Sequence, residues 1–313
     1  MEDIEKFKKQ LKWDIDLSKT NYQIDALQNK LLQFYLRADS KFRKAFYQNY
    51  TQDFIQFLKD KARLREPVKL TTMGTTRGGK SYSMITLAIL HSVYNGKLFN
   101  VNYICGNVQE YIEKLRTMEE KELINSFFLM DEEKTAIYGS GSFAKKTKTQ
   151  DVANITAINN ISTCFINPVQ WADSKAMYGL RAWGKCFQTK SCRFMLYNLQ
   201  EGGKGGTLPL GCVYIPIFTE FAPKPYSTEL EKNYLKKKME VVRAEIRGEG
   251  DILQEIKKKS AKAFMNDKQF LSLKKKNEKL TYIKVKLGSE WTTKECEEIC
   301  YITQMLSNGI NLD

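Results

Sequence analysis

The pattern of apolar and polar positions changes character twice along the chain. Apolar side chains recur at near-helical intervals throughout residues 1–66, which predicts a helical N-terminal extension. After Pro67, short apolar runs alternate with longer amphipathic ones over 67–221, and after Phe221 the sequence becomes rich in lysine. These shifts predict three regions: the extension, a central domain over 67–221, and a basic, mostly helical C-terminal region over 222–313.

The central region alternates between two kinds of element. Short apolar runs typical of strands lie at 68–74, 100–106, 126–130, 162–167, 193–199 and 211–218, and helical patterns lie at 81–94, 108–123 and just before Asn160. Strands that alternate with helices favour an α/β fold with a mainly parallel central sheet and helices on both faces. A short glycine-rich connection joins the last two strands, which predicts an antiparallel hairpin at one edge.

The connection between the first strand and the first helix of this region fits the pattern G-x-x-x-x-G-K-[ST]. Its residues are Gly74, Thr75, Thr76, Arg77, Gly78, Gly79, Lys80 and Ser81. Glycines let the backbone curl so that successive N–H groups, together with the helix N-terminus, face a phosphate. Lys80 is then placed to contact the β- and γ-phosphates, and the hydroxyl of Ser81 to bind Mg²⁺. The pattern predicts ATP and Mg²⁺ as cofactors; a glycine-rich turn that matches by chance is the alternative.

Two carboxylates emerge from the end of the apolar run at 127–130. Asp131 suits a role in the Mg²⁺ shell, and Glu132 suits that of the base that activates water. An acidic strand end exposed to solvent is the alternative. The functional interpretation is favoured because these residues follow the glycine-rich loop by some fifty positions, with one strand between.

Amide side chains follow the strand at 162–167. We expect Asn167, or as a second choice Gln170, to hydrogen-bond the attacking water or the γ-phosphate. A turn in which Asn167 and Pro168 simply terminate the strand is the alternative.

These segments, in this order, resemble the P-loop ATPases that carry an additional strand between their two nucleotide motifs. The resemblance rests on GTTRGGKS at 74–81, FFLMDEE at 127–133 and ISTCFINPVQWADSKAMYGLRAW at 161–183. Within that group the chain is similar to the FtsK/HerA superfamily, which includes viral genome-packaging ATPases. The resemblance implies a RecA-like domain over about 66–221. It also implies an amide at Asn167 followed by a proline, Pro168, and an acidic residue, Asp173.

The resemblance further implies an ATP-hydrolysing motor that translocates double-stranded DNA. Members of the family form rings, usually hexamers, around DNA. If the chain packages a viral or mobile-element genome, the resemblance also implies a capsid portal or vertex protein as a further partner. Such rings take an arginine from a neighbouring subunit into the nucleotide site, and Arg181 and Arg193 are candidates. The glycine-rich segment 202–206 either reaches DNA through Lys204 or forms a plain hairpin turn.

The charge of the chain also favours a polyanionic partner. Its 313 residues include 50 Lys+Arg and 36 Asp+Glu, a net charge of +14, and residues 224–286 alone hold 18 Lys+Arg against 9 Asp+Glu. Lysine-rich helices with interspersed Phe264, Phe270 and Tyr282 are expected to bind a nucleic-acid backbone without reading sequence. A solvated lysine-rich surface is the alternative. A helix after Thr292 or Thr293 suggests a small helix-turn-helix-like module at the C-terminal end.

Cysteine, histidine and hydropathy patterns narrow the class of protein. Seven scattered cysteines argue against a disulfide framework, and a single histidine, His91, argues against Cys/His zinc sites and histidine-based catalysis. His91 is expected to pack inside an apolar helix. The chain has no apolar run long enough to span a bilayer and no signal peptide at its start. We therefore expect a cytoplasmic protein, in a host cytoplasm or associated with a virion.

Two other functions stay open from the sequence. One is an ATPase that acts on protein during virion or secretion assembly. The other is a non-motor P-loop protein, either a nucleotide switch or a small-molecule kinase, for which the polar stretch 139–150 would supply a substrate lid.

Overall fold

The computed structural model describes residues 2–13, 15–75, 79–106, 108–131, 159–167, 176–199, 207–246, 260–273, 275–287 and 293–307. The helices are α1 (Glu2–Gln10), α2 (Ala26–Ala38), α3 (Ser40–Tyr47), α4 (Thr51–Arg63), α5 (Lys80–Tyr94), α6 (Val108–Thr117), α7 (Glu120–Leu123), α8 (Phe218–Phe221), α9 (Tyr226–Ile246), α10 (Lys268–Ser272), α11 (Lys276–Leu287) and α12 (Thr293–Ser307). The strands are β1 (Lys69–Met73), β2 (Ile104–Cys105), β3 (Phe127–Met130), β4 (Ser162–Asn167), β5 (Tyr178–Cys186), β6 (Ser191–Asn198) and β7 (Leu208–Pro216). The described residues form two compact units that divide at 236.

A seven-stranded sheet lies at the centre of the first unit. Its strand order is β2-β3-β4-β1-β5-β6-β7. The strands β1 to β5 are parallel to one another, β6 is antiparallel to β5, and β7 is antiparallel to β6. The expectation of an α/β fold with a mainly parallel sheet and an antiparallel pair at one edge is therefore confirmed.

Alternate side chains of β6 show how both faces of the sheet are covered. Phe194 and Leu196 belong to the main core, which includes α5, whereas Met195 and Tyr197 belong to a second core with Phe42 of α3. Successive side chains of a strand point to opposite faces. Helices α2 and α3 therefore cover one face of the antiparallel edge. Helix α5 lies on the other face, and α4 belongs to the same core as α5.

Backbone hydrogen bonds also attach the N-terminal segment to the sheet edge. The Tyr50 N–H donates to the Cys212 carbonyl at 2.7 Å, and the Cys212 N–H donates to the Gln48 carbonyl at 2.7 Å. Arg193 of β6 donates to the Phe46 carbonyl at 2.6 Å, and its guanidinium lies 3.8 Å from the centre of the Phe46 ring. These contacts occupy backbone groups of β7 that an exposed edge strand would present to other chains.

Several predicted elements differ from those observed. The strand predicted at 100–106 is only Ile104–Cys105, because Asn100 accepts a hydrogen bond from the Asn102 N–H and starts a 3-10 turn. The helix predicted at 108–123 is two helices, α6 and α7. The segment 1–66 is not helical throughout, since between α1 and α2 the described residues contain only a 3-10 turn at Leu17–Lys19.

Strand β5 has no counterpart among the predicted elements. It contains Gly179 and Gly184, and its pairing with β6 shifts register between Ala182 and Gly184. The shift breaks the two-residue alternation by which a strand is recognised in sequence, and glycine is a poor strand former. β5 nevertheless pairs along its length, in parallel with β1 and antiparallel with β6.

The second unit has its own small core. The apolar side chains at its centre are Ala261, Phe264, Phe270, Ile283, Cys296 and Ile299. The predicted C-terminal helix is present as α12. Two of the aromatic residues interspersed in the lysine-rich helices, Phe264 and Phe270, are buried against one another and Tyr282, so their rings belong to this core.

The state of the cysteines and the hydropathy of the helices can be compared with what the composition predicts. All seven cysteines lie among the described residues, and none forms a disulfide. No helix in the described ranges combines the length and apolar character needed to cross a bilayer.

His91 is buried in α5, as its apolar surroundings in sequence predict. Its Nε2 lies 3.1 Å from the Ser162 hydroxyl, its Nδ1 lies 3.1 Å from the Asn95 amide, and its ring packs on Phe127. Burial lowers the pKa of His91 from 6.5 to about 4. The imidazole is therefore neutral in the folded protein at neutral pH.

This burial makes stability depend on pH. Between pH 6.5 and about 4 the unfolded chain binds a proton at His91 that the folded chain does not, so stability falls as the pH drops through that range. When the pH is lowered from 7 to 4.5, the free energy of unfolding should fall for this reason in wild type but not in His91→Gln. We expect the fall to be about 2–3 kcal/mol larger in wild type. Denaturant unfolding at both pH values measures it, and equal losses would contradict the assignment.

Candidate functional site

The carboxyl ends of neighbouring strands meet at one edge of the sheet. Met73, the last residue of β1, pairs with Asn167, the last residue of β4, on one side and with Arg181 of β5 on the other. Met130 of β3 pairs with Phe165, so Asp131 follows at the same edge. Because the strands are parallel, residues far apart in sequence arrive at the carboxyl edge together, which is where α/β proteins bind ligands.

The loop after β1 approaches its neighbours closely at both described ends. Gly74 has φ of 143°, and a Cβ there would lie 2.8 Å from the Cβ of Ala182. Gly79 has φ of 79°, and a Cβ there would lie 2.4 Å from the Cys192 sulfur. Contacts under 3 Å and positive φ both exclude ordinary side chains, so the fold itself requires glycine at these two positions.

Helix α5 begins directly after this loop. Gly79 is its N-cap residue and supplies no side-chain hydrogen bond to the first turn. Anions are stabilised at such a helix start, where N–H groups lack intrahelical partners and the helix dipole is positive. The arrangement suits a phosphate group.

Lys80 is the first residue of α5, and its side chain turns back over the loop. Its Nζ donates to the Gly74 carbonyl at 2.7 Å and to the Thr75 carbonyl at 2.6 Å. The residue is 7% exposed. A buried ammonium needs hydrogen-bond acceptors, and the loop carbonyls supply them. Lys80 is thereby held within the loop, as its position in the sequence pattern predicts.

Ser81, in the first turn of α5, and Asp131, directly after β3, are brought together by the fold. The Ser81 hydroxyl donates to Asp131 Oδ1 at 2.7 Å, across 50 residues of sequence. Asp131 is 7% exposed, and its backbone N–H donates to the Cys105 carbonyl at 2.9 Å. The two residues predicted to hold Mg²⁺ are therefore in direct contact.

A tyrosine from α9 contacts the second oxygen of the same carboxylate. The Tyr234 hydroxyl donates to Asp131 Oδ2 at 2.6 Å. Burial, and then the charge of Asp131, holds the pKa of Tyr234 far above its usual value, so the phenol remains protonated. Burial and the same charge also raise the pKa of the Cys164 thiol.

Residues from α2 and β6 complete the surroundings of the loop. Gln28 Nε2 lies 3.0 Å from the Thr75 hydroxyl oxygen and 3.3 Å from the Ala182 carbonyl. Cys192 lies against Gly79, and burial raises the pKa of its thiol to about 11. The loop is thus backed by a neutral thiol and held by an amide side chain.

The candidate arginines are both engaged within their own chain. The guanidinium of Arg181 lies 4.8 Å from the Trp183 ring centre and 5.4 Å from that of Tyr35. Arg193 stacks on Phe46 and donates to its carbonyl. Arg193 thus connects β6 to α3, whereas Arg181 lies at the edge where β1 ends, in register with Met73.

Some predicted site residues lie outside the described residues. They are Thr76, Arg77, Gly78, Glu132, Gln170, Pro168, Asp173 and Lys204. Asn167 is described and is 3% exposed, at the end of β4.

The described side chains fit a magnesium–nucleotide complex. Mg²⁺ is usually held by one or two protein oxygens together with phosphate and water oxygens, and Ser81 and Asp131 supply such a pair. Lys80 and the start of α5 supply positive charge for the phosphates. Within the described ranges, no cluster of three or more His, Cys, Asp or Glu side chains is arranged to hold a metal ion.

Sequence reasoning does not predict the roles of Gln28, Cys192 or Tyr234. The contacts of Gln28 with Thr75 and of Tyr234 with Asp131 span 47 and 103 residues. The one local signal is Asp25, which accepts a hydrogen bond from the Gln28 N–H and caps α2. That signal marks the helix start, but it does not say what the Gln28 side chain touches.

Comparison of the chain with protein-family models, with curated proteins and with solved structures gives no match. The assignment of a function therefore rests on the sequence pattern and on the geometry of the site.

The fit around the loop predicts unequal effects of two glycine substitutions. Gly79 and Gly96 have nearly equal φ, 79° and 78°, but a Cβ at Gly96 would meet nothing within 4 Å. We expect Gly96→Ala to lower the free energy of unfolding by about 1–2 kcal/mol, the cost of positive φ alone. Gly79→Ala should cost a further ~1–3 kcal/mol from the clash with Cys192. Denaturant unfolding tests this, and equal costs would contradict the geometry.

Proposed function

We propose that the chain is a P-loop ATPase with a RecA-like sheet that translocates double-stranded DNA. The observation that carries the proposal is the 2.7 Å hydrogen bond between Ser81, directly after the glycine-rich loop, and Asp131, at the end of β3. A chance glycine-rich turn has no reason to bring its serine to a buried carboxylate on another strand.

The strand order also supports this class of protein. β4 lies between β1, which leads into the loop, and β3, which ends at Asp131. A strand between these two in the sheet is compatible with a P-loop ATPase that carries an additional strand. β4 ends at Asn167, and the pairing of β4 with β1 puts that amide beside the residue that precedes Gly74.

Each residue of the proposed site has its own role in ATP hydrolysis. Backbone N–H groups at the start of α5 and the Lys80 ammonium bind the phosphates, and the ammonium exchanges its loop carbonyls for phosphate oxygens. Ser81 and Asp131 would hold Mg²⁺, which would neutralise negative charge on the phosphoryl group that is transferred. Glu132 takes the proton of the attacking water, and Asn167, with Gln170 as the second choice, orients that water.

We further propose that the subunits form a ring, most simply a hexamer, in which Arg181 enters the site of a neighbouring subunit. We favour Arg181 over Arg193 for this role. Arg181 lies at the edge of the sheet where β1 ends, whereas Arg193 donates to the Phe46 carbonyl. Light scattering of the protein with ATP and Mg²⁺ separates a ring from a monomer, and a monomer favours a nucleotide switch or kinase.

The positive charge of the chain supports duplex DNA as the substrate of the proposed motor. The lysines of 224–286 include exposed side chains on the surface of the second unit, at Lys262, Lys268 and Lys275 among others. Contacts of lysine with phosphate provide affinity without sequence preference, which suits a motor that moves along any DNA. We propose packaging of a viral or mobile-element genome as the role, with a capsid portal or vertex protein as the second partner.

The site predicts a strong effect at Lys80 and a weak one at a matched lysine. Lys80→Met should lower ATP hydrolysis by about 100-fold or more, because a positive group on the phosphates is lost. Lys97→Met is the control, since Lys97 also donates to backbone carbonyls, those of Lys121 and Ile124, but at the end of α7. Phosphate release measures both rates. Equal rates for the two variants would contradict the site, and Glu132→Gln tests the base in the same assay.

The DNA assignment predicts salt-dependent binding and stimulation of hydrolysis. Duplex DNA should raise the ATPase rate, and log Kd should change with log salt by about 0.9 per phosphate contact. Two triple Lys→Gln variants carry the same charge change, one at Lys262, Lys268 and Lys275 and the other at Lys9, Lys30 and Lys44. The first should bind DNA more weakly with a shallower salt slope, and the second should resemble wild type. Hydrolysis without any response to DNA would favour an ATPase that acts on protein.

A further inference from the structure

We infer that Tyr234 is a positioning residue for the metal site, which orients Asp131 from helix α9. The inference rests on the proposed function, since it concerns how the same site binds Mg²⁺ with a nucleotide. It adds a residue that neither the sequence pattern nor the family resemblance identifies.

The hydrogen bonds of Asp131 carry the inference. Oδ1 accepts from the Ser81 hydroxyl at 2.7 Å and Oδ2 accepts from the Tyr234 hydroxyl at 2.6 Å. A carboxylate with a separate donor on each oxygen is fixed in both torsion angle and position. The Ser81 donor belongs to the loop and is itself a candidate metal ligand. Tyr234 is therefore a donor that would keep the carboxylate in place if Ser81 bound the metal.

The side chain of Tyr234 is held in place by close packing. Its ring is 3% exposed, and Leu230, one helical turn earlier on α9, is 5% exposed in the same core. The Tyr82 ring lies 5.7 Å from the Tyr234 ring, and the Tyr82 hydroxyl donates to Glu231 at 2.9 Å. Tyr82 follows Ser81 directly in sequence. The first turn of α5 and the middle of α9 are thus joined at two points beside Asp131.

Groups that hydrogen-bond a metal ligand without touching the metal orient that ligand, and their removal typically weakens metal affinity by about 10–100-fold. Tyr234 meets this description toward Asp131. A purely structural tyrosine would contribute to folding but would leave the affinity for Mg²⁺ unchanged.

The test compares two tyrosines of the same helix. Tyr234→Phe removes the hydroxyl that contacts Asp131. Tyr226→Phe is the control, because the Tyr226 hydroxyl donates at 2.5 Å to the Phe99 carbonyl, a backbone group away from the site. Thermal unfolding of each full-length variant is followed with saturating ADP while Mg²⁺ is titrated, and the Mg²⁺ concentration at the midpoint of the stabilisation is recorded.

We expect the Mg²⁺ midpoint to rise about tenfold for Tyr234→Phe and to stay within about twofold of wild type for Tyr226→Phe. Equal midpoints for the two variants would overturn the inference while leaving the nucleotide site intact. A lower midpoint for Tyr234→Phe would also overturn it, because Tyr234 would then compete with the metal. If wild type shows no stabilisation by ADP with Mg²⁺, the proposed function fails first and this inference fails with it.

A second variant keeps the test decisive if Tyr234→Phe does not unfold cooperatively. Tyr234→Met fills much of the ring volume with a flexible chain that has no donor. It is expected to show the same rise in the Mg²⁺ midpoint, and a wild-type midpoint would overturn the inference.

Discussion

The hydrogen bond between Ser81 and Asp131 is the contact on which the organisation of the site depends. It requires β1 and β3 to run parallel, with β4 between them, so that the first turn of α5 reaches the end of β3. An antiparallel β3 would carry Asp131 to the opposite edge of the sheet. The parallel arrangement is stable because both sheet faces are covered and all four residues of β3 are buried. The parallel strand order of the sheet is therefore also the condition under which Ser81 and Asp131 can meet.

The loop is shaped from outside as much as by its own glycines. Ala182 of β5 and Cys192 of β6 lie where side chains at Gly74 and Gly79 would be, and Gln28 of α2 bonds Thr75. Close packing of this kind limits the conformations open to Gly74, Thr75 and Gly79 before any ligand binds. Preorganised N–H groups and charges bind a phosphate without the cost of ordering a flexible segment.

Helices at the two ends of the first unit have different relations to this site. Helices α2 and α3 cover the antiparallel edge of the sheet, chiefly through aromatic packing around Trp183, and Gln28 of α2 contacts the loop. Helix α9 meets the site from the other side, through Tyr234 and Glu231. A segment that composition presents as a simple helical extension therefore takes part in forming the site.

The sequence by itself determines the α/β alternation, the glycine-rich pattern at 74–81 and the acidic end of β3, because each is a run or a fixed spacing of nearby residues. Lys80, Ser81 and Asp131 could be singled out as candidate site residues for this reason. Strand β5 was not predictable, since its glycines and register shift hide the alternation. The sequence also did not reveal that Phe264 and Phe270, among the lysines, are core residues. Only the tertiary structure decides that Gln28, Cys192 and Tyr234 meet the site. Their contacts join segments 47 to 113 residues apart, and such contacts are selected by the packing of whole elements, which leaves no local pattern in the chain.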